Sequence, residues 1–267
     1  MRASGSASKR SRPRKGRAPA TSAAKRSRSR AARLLVLFDI DGTLVLTGGA
    51  GGRAMTRAFE EVFAIPDAFR GIPMPGRTDS WILSDAAAVH RIPRDSPDLA
   101  HFRDVYLRHL AHELHAPHPP HLRNGVMPGV RPLLDALSAR DDVFLALLTG
   151  NYEAAARIKL EHFDLWRYFA CGAFGDDAPD RNRLLPRALA AVRACAGHDI
   201  AAADAVVVGD TPLDVACAAA GGARSIAVAT GSHRVDELRA AGADYVFEDL
   251  SDLDAVLAAL ACQADAR

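Results

Sequence analysis

Nowhere in these 267 residues does an apolar run approach the ~20 residues that a membrane-crossing helix needs, so the sequence predicts a chain without membrane-spanning helices. Cysteine is scarce and scattered. Cys171, Cys195, Cys217 and Cys262 form no CxxC pair or other metal-ligand spacing, which argues against a thiolate metal site and predicts reduced, mostly buried thiols in a cytoplasmic protein. Acidic residues are missing from positions 1–33, which hold 12 of the 34 lysines and arginines. The remainder carries 22 basic against 32 acidic residues, a net charge of −10. That basic segment also lacks large apolar residues before Leu34, so it cannot bury enough surface to offset its ordering entropy, and disorder is expected. A solvated extension suits it best; a weak tether to nucleic acid or another acidic surface, or an organelle transit peptide, fits the same composition. A glycine-rich run, Thr47-Gly48-Gly49-Ala50-Gly51-Gly52, is not followed by Gly-Lys-Ser/Thr and contains no GxGxxG. A phosphate cradle of the P-loop or dinucleotide-binding type is therefore not supported there, and a flexible hinge is the expectation.

What is present is a chain of 49% hydrophobic residues, enough for a large core. Leu34-Leu35-Val36-Leu37-Phe38 is too short for a typical helix and fits a strand buried on both faces, as in a parallel sheet. Asp39-Ile40-Asp41-Gly42-Thr43 follows at its carboxyl end, where doubly wound folds place their ligand crevice. From Arg53 to Leu122 the pattern is helical, over Ala54 to Phe63, Trp81 to His90 and Leu99 to Leu114, with Thr78 or Asp79 able to cap the second helix. Histidines 109, 112, 115, 118 and 121 recur every three residues, but Pro117, Pro119 and Pro120 end the helix, so they cannot share one metal-binding face.

Beyond Met127 strand and helix alternate. A helix over Val130 to Ala139 precedes the apolar run Val143 to Leu148, which ends in Thr149-Gly150-Asn151. A helix from Tyr152 to Phe163, a short strand near Phe169 to Phe174 and a helix from Leu184 to Cys195 follow. Ala205 to Val208 ends in Gly209-Asp210-Thr211-Pro212-Leu213-Asp214, and Ser225 to Ala229 ends in Thr230-Gly231. The alternation predicts an α/β fold: a doubly wound, Rossmann-like parallel sheet with its polar strand ends gathered at one edge.

Asp39-Ile40-Asp41-Gly42-Thr43, Thr149 and Gly209-Asp210-Thr211-Pro212-Leu213-Asp214, in that order at three strand ends, resemble the haloacid dehalogenase-like hydrolases along residues 34–260. The resemblance is strongest to the phosphoglycolate phosphatase-like branch, whose all-helical cap is inserted after the first motif. It implies a core over 34–47 and 125–267, a cap over 48–124, and Mg²⁺-dependent hydrolysis of a small phosphorylated metabolite. Asp39 would then be the nucleophile forming an aspartyl-phosphate and Asp41 the acid/base. Asp39, the Asp41 carbonyl and Asp210 would hold the metal, with Asp214 bonding to that metal's surroundings. Thr149 and the neighbouring Gly150 and Asn151 would bind the transferring phosphoryl group. The family's usual lysine between the second and last motifs has no counterpart in residues 161–260, so Arg181 or Arg183 must substitute, and Arg181 is favoured by the helix that begins just after it. Arg77, between a proline-broken turn and a helix start, is the candidate reader of an acidic substrate, against a plain ion pair with a neighbouring acid. A 2-haloacid dehalogenase would lack the second acid and the metal, against Asp41 and Asp210. A phosphomutase would use the same core and differ mainly in cap residues that hold a second phosphate. A non-catalytic binder of a phosphorylated ligand would have no need of the intact carboxylates.

Overall fold

The computed structural model describes residues 34–176 and 180–261. The basic segment over 1–33, with the disorder expected of it, lies outside them. Leu34–Phe38 forms β1, and Leu35 to Phe38 are inaccessible to solvent. Val45–Thr47 (β2) leads into Ala50–Phe63 (α1), Asp79–Val89 (α2) and Asp98–Glu113 (α3), after which Asn124–Val126 (β3) returns the chain. Next come Val130–Ser138 (α4), Val143–Leu148 (β4), Glu153–His162 (α5), Gly172–Ala173 (β5), Leu184–Ala196 (α6) and Ala205–Gly209 (β6). Pro212–Gly221 (α7), Arg224–Val228 (β7), Val235–Ala240 (α8), Tyr245–Phe247 (β8) and Leu253–Ala261 (α9) complete the described chain.

The main sheet has the order β5-β4-β1-β6-β7-β8, with every neighbouring pair parallel. From β1 the chain moves outward through β4 to β5, then crosses back to β6 on the other side of β1. That reversal opens a crevice beyond the carboxyl ends of β1, β4 and β6, the place where a doubly wound sheet binds its ligand. Both faces of the sheet are covered, which is why its central strands read as unbroken apolar runs. Val36, Phe38, Leu147 and Val208 pack with Leu133 and Leu134 of α4 and with Val256 of α9. Leu35, Leu37 and Leu148 pack with Leu184 and Leu185 of α6 and with Cys217 of α7.

β2 and β3 pair antiparallel, Val45 opposite Val126 and Thr47 opposite Asn124, so the helical segment enters and leaves through a short ribbon that the sequence pattern does not reveal. Phe59, Phe102 and Tyr106 form its core, and Tyr152 and Ala155 at the start of α5 join them. The glycine run expected to be a hinge is only partly irregular: Gly48 and Gly49 turn with φ of 58° and 80°, while Gly51 and Gly52 lie inside α1. Burial of Ala54, Met55, Ala58 and Phe59 holds that helix together despite its glycines, since most helix stability in proteins comes from packing. Among the described residues no helix is long and apolar enough to cross a membrane.

Leu37, fully buried in the central strand, reports on this core. Leu37→Ala should lower the unfolding free energy by about 2–5 kcal/mol in urea titration, the usual cost of such a cavity. A loss below about 0.5 kcal/mol would contradict its central place, since even deleting one buried methylene costs more.

Candidate active site

The Asp39 amide, one residue past β1, donates to the Val208 carbonyl at 2.9 Å and so fixes the first carboxylate beside the end of β6. The chain then turns at Gly42, whose φ of 85° and close approach to Asp210 leave no room for a Cβ. Thr43 Oγ1 donates to Asp210 Oδ1 at 3.3 Å. Asp210 follows β6, and α7 begins with a capping box: Thr211 N and Oγ1 donate to Asp214 Oδ2 at 3.1 and 2.7 Å, with Pro212 at the first helical position. Asp39, Asp210 and Asp214, all buried, each place a carboxylate oxygen within 4.8 Å of the others.

Arg181 sits among them, 2% exposed, in a 3-10 turn whose next arginine, Arg183, is exposed. Its Nη2 donates to Asp214 Oδ1 and lies 3.2 Å from Asp39 Oδ1, and its Nη1 donates to the Gly76 carbonyl at 2.8 Å. Of the two arginines able to replace the family's lysine, Arg181 is the one beside Asp39. Burial pushes the Asp39 carboxyl up to about 6 against the pull of Arg181, with Asp214 and Asp41 adding to the rise. Burial, then the charges of Asp214 and Asp39, hold Asp210 well above the usual carboxylate range. Burial opposes the charge of Arg181, but Asp214 and Asp39 together outweigh it, and its pKa stands above arginine's ordinary value. Three buried carboxylates around one guanidinium leave negative charge unmatched. An all-oxygen donor set of this kind fits a hard divalent cation such as Mg²⁺. Arg181 and Thr211 occupy both oxygens of Asp214, which leaves Asp39 and Asp210 as the available side-chain donors.

The end of β4 supplies the opposite wall. Asn151 Nδ2 donates to Thr149 Oγ1 at 2.9 Å and to Asp41 Oδ2 at 2.8 Å, so the second acid is tied to the β4 loop. Lys159, reaching back from α5, donates to the same Asp41 oxygen and to Asn151 Oδ1, each at 2.6 Å. Reasoning from the motifs misses this lysine, because it lies just ahead of residues 161–260, the stretch that holds none. One signal marks it, since it is the only lysine beyond Lys25 in an arginine-rich chain.

Residues 36–219 match the haloacid dehalogenase-like hydrolase family. The chain belongs to that family. It is 32% identical over 221 residues to a protein named phosphoglycolate phosphatase from Rhodospirillum rubrum, covering 82% of this chain and 88% of the other. Its fold resembles the crystal structures of a predicted phosphatase from Clostridium acetobutylicum and a hydrolase from Pseudomonas syringae, each with a TM-score of 0.62 and 21% identity, over 86% of this chain and 100% of the other.

In this haloacid dehalogenase-like hydrolase the two halves of the site meet around a cavity of about 400 Å³ that runs from Asp39, Asp41 and Asp210 to Met55, Ile82 and Tyr106. Arg77 lines it too, but its Nη1 pairs with Asp85 at 2.5 Å and its guanidinium stacks 4.2 Å from the Trp81 ring centre. The start of α2 is clasped to the β4 loop. Thr78 caps the helix, accepting from the Trp81 amide at 3.1 Å. The Asp79 amide donates to the Gly150 carbonyl at 2.7 Å, and Asp79 Oδ2 accepts from the Tyr152 amide at 2.9 Å. Gly150 permits this approach, because a Cβ there would collide with the Arg77 carbonyl.

Burial pushes Asp79 up to about 7, with Lys159 pulling the other way. The folded pKa is above the ordinary 3.8, so the stability Asp79 contributes is whole below about pH 4 and is lost as the pH rises to about 7. Asp79→Asn keeps an acceptor for the Tyr152 amide but removes the titration. Its melting temperature relative to the parent should therefore climb between about pH 4 and 7 and level off above that, as read by thermal denaturation at matched Mg²⁺. A difference that stays flat across this range would show that Asp79 does not titrate in the clasp.

Proposed function

We propose that this hydrolase is a Mg²⁺-dependent phosphatase that cleaves a small phosphorylated metabolite through an aspartyl-phosphate on Asp39. The observation that carries the reading is a buried carboxylate at a strand end, flanked by Arg181 and two further buried acids, with Asp41 facing the same cavity two residues on. The name of the Rhodospirillum rubrum relative supports a phosphate monoester, and an acidic one, as substrate. Residues 34–47 and 125–267 form the catalytic core in this reading, and residues 48–124 are the cap that selects the alcohol.

An Asp39 oxygen attacks phosphorus as the bond to the ester oxygen breaks, and Asp41 gives its proton to that leaving oxygen. Asp41 then takes a proton from water. The water oxygen bonds to phosphorus, the bond to Asp39 breaks, and phosphate leaves. Thr149, Gly150 and Asn151 hold the phosphoryl oxygens, with Asn151 Nδ2 turning to them from Asp41, and Arg181 screens the charge between Asp39 and the anion. Mg²⁺, held by Asp39, the Asp41 carbonyl and Asp210, would neutralise charge on the phosphoryl group and keep Asp39 ionised. Asp214 positions Arg181 and the start of α7. Both contacts of the Asp41 side chain fall on Oδ2, so Oδ1 carries no hydrogen bond among the described residues and is available to the leaving group. A cytoplasmic, reducing setting suits the three free cysteines among the described residues.

Asp39→Asn should abolish phosphate release from an aryl phosphate while leaving the fold intact, and Asp41→Asn should slow turnover by about 10²-fold or more. Chelation should stop the parent and Mg²⁺ restart it, with Asp210→Ala shifting the Mg²⁺ titration further than Asp214→Ala. Near-normal activity in Asp39→Asn, or activity that chelation does not touch, would overturn the proposal.

A further inference from the structure

One cation in the cavity has no part in these steps. Lys159 is 4% exposed and its ammonium donates to Asp41 Oδ2 and Asn151 Oδ1, which uses two of its three donors. The other cations of the cavity are engaged elsewhere: Arg181 by Asp39, Asp214 and Gly76, and Arg77 by Asp85 and the Trp81 ring. A buried ammonium needs a matching negative charge. Its partner Asp41 is 42% exposed, in contrast to the sealed cluster around Arg181. Lys159 is thus the cation best placed to exchange a protein partner for a ligand.

Its place relative to the chemistry is set by Asp41. To protonate the leaving oxygen, Asp41 Oδ1 must come within hydrogen-bond reach of it, and Nζ stands 2.6 Å from Oδ2 of the same carboxylate, so Nζ lies within about 8 Å of that oxygen. A carboxylate on the carbon that bears the leaving oxygen projects into the same span. Lys159 and Asp41 line the same cavity of about 400 Å³, and the residue of α1 that faces Nζ is Gly51, which puts no side chain there. We propose that Lys159 is the specificity-determining residue of this site and reads a carboxylate on the leaving alcohol. The assignment rests on Asp41 as the acid in the phosphatase reading above. On binding, the substrate carboxylate takes the third donor or replaces Asp41 as the partner of Nζ, while Asp41 Oδ1 faces the leaving oxygen. An alcohol without the carboxylate leaves Lys159 on Asp41 and gains nothing from it.

The test compares 2-phosphoglycolate with 2-hydroxyethyl phosphate, which replaces the carboxylate by CH₂OH, and uses an aryl phosphate as a neutral reference, all with Mg²⁺. The parent should prefer 2-phosphoglycolate, and Lys159→Met should cut its kcat/KM relative to that of 2-hydroxyethyl phosphate by about tenfold or more, with Lys159→Arg keeping more of the preference. An equal loss on both esters would overturn the inference and make Lys159 only a support for Asp41. A parent that hydrolyses the aryl phosphate without preferring 2-phosphoglycolate would overturn the inference and leave the phosphatase standing; a parent that hydrolyses none of the three would overturn both. Inhibition of the parent by the free acid, glycolate, gives a readout that does not depend on a folded variant. Competitive inhibition by glycolate and not by ethylene glycol supports the carboxylate site, and indifference to both overturns it.

Discussion

Three buried carboxylates held around a single guanidinium are the constraint on which this molecule depends. Asp39, Asp210 and Asp214 come from two neighbouring strand ends and one helix start, and Arg181 reaches them from a separate turn. Parallel pairing of β1 with β6 brings the acids close, because the register places Phe38 beside Val208, one residue before Asp39 and two before Asp210. Packing on both faces of the sheet keeps them there, and their burial, with the repulsion of neighbouring carboxylates adding to it, displaces Asp39 and Asp210 upward. Such a cluster attracts cations, and this is where the chain's membership of the haloacid dehalogenase-like hydrolases acquires physical content.

Arg181 also joins the two halves of the molecule. One nitrogen of its guanidinium touches Asp39 and the α7 cap, and the other holds the Gly76 carbonyl of the helical segment. Asp79 and Gly150 add a second clasp a few residues further on. The position of the helical segment is thereby coupled to the electrostatics of Asp39, so a motion that opened the cavity would also alter what Arg181 and Lys159 screen.

Much of this is legible in the sequence wherever one local signal is enough. β1, β4 and β6 stand out because both faces are buried, giving runs such as Val143 to Leu148 whose observed bounds are those of the apolar run itself. Arg181 is reachable because a positive charge is missing from the expected place and a helix start lies beside it. The ribbon of β2 and β3 is not legible: each strand has three residues and their pairing spans the whole helical segment. Gly51 and Gly52 read as hinge because local propensity carries no knowledge of α3 packing on α1. β8, half-buried at the sheet edge, lacks the apolar run of the inner strands. Lys159 is hidden for the same reason as the ribbon, since its partner Asp41 lies 118 residues away and nothing on α5 announces the contact.

The claim at the centre of this account is that Asp39 carries the phosphoryl group. Turnover of a phosphate ester with Mg²⁺, quenched in acid and treated with borohydride, converts an acyl phosphate at an aspartate into homoserine, which mass spectrometry locates in the peptide spanning Leu34 to Thr43. The account predicts reduction at position 39 only when substrate is present, and none in Asp39→Asn. Reduction at another carboxylate, or an unmodified Asp39 in an enzyme that turns over under conditions where the adduct accumulates, would contradict it.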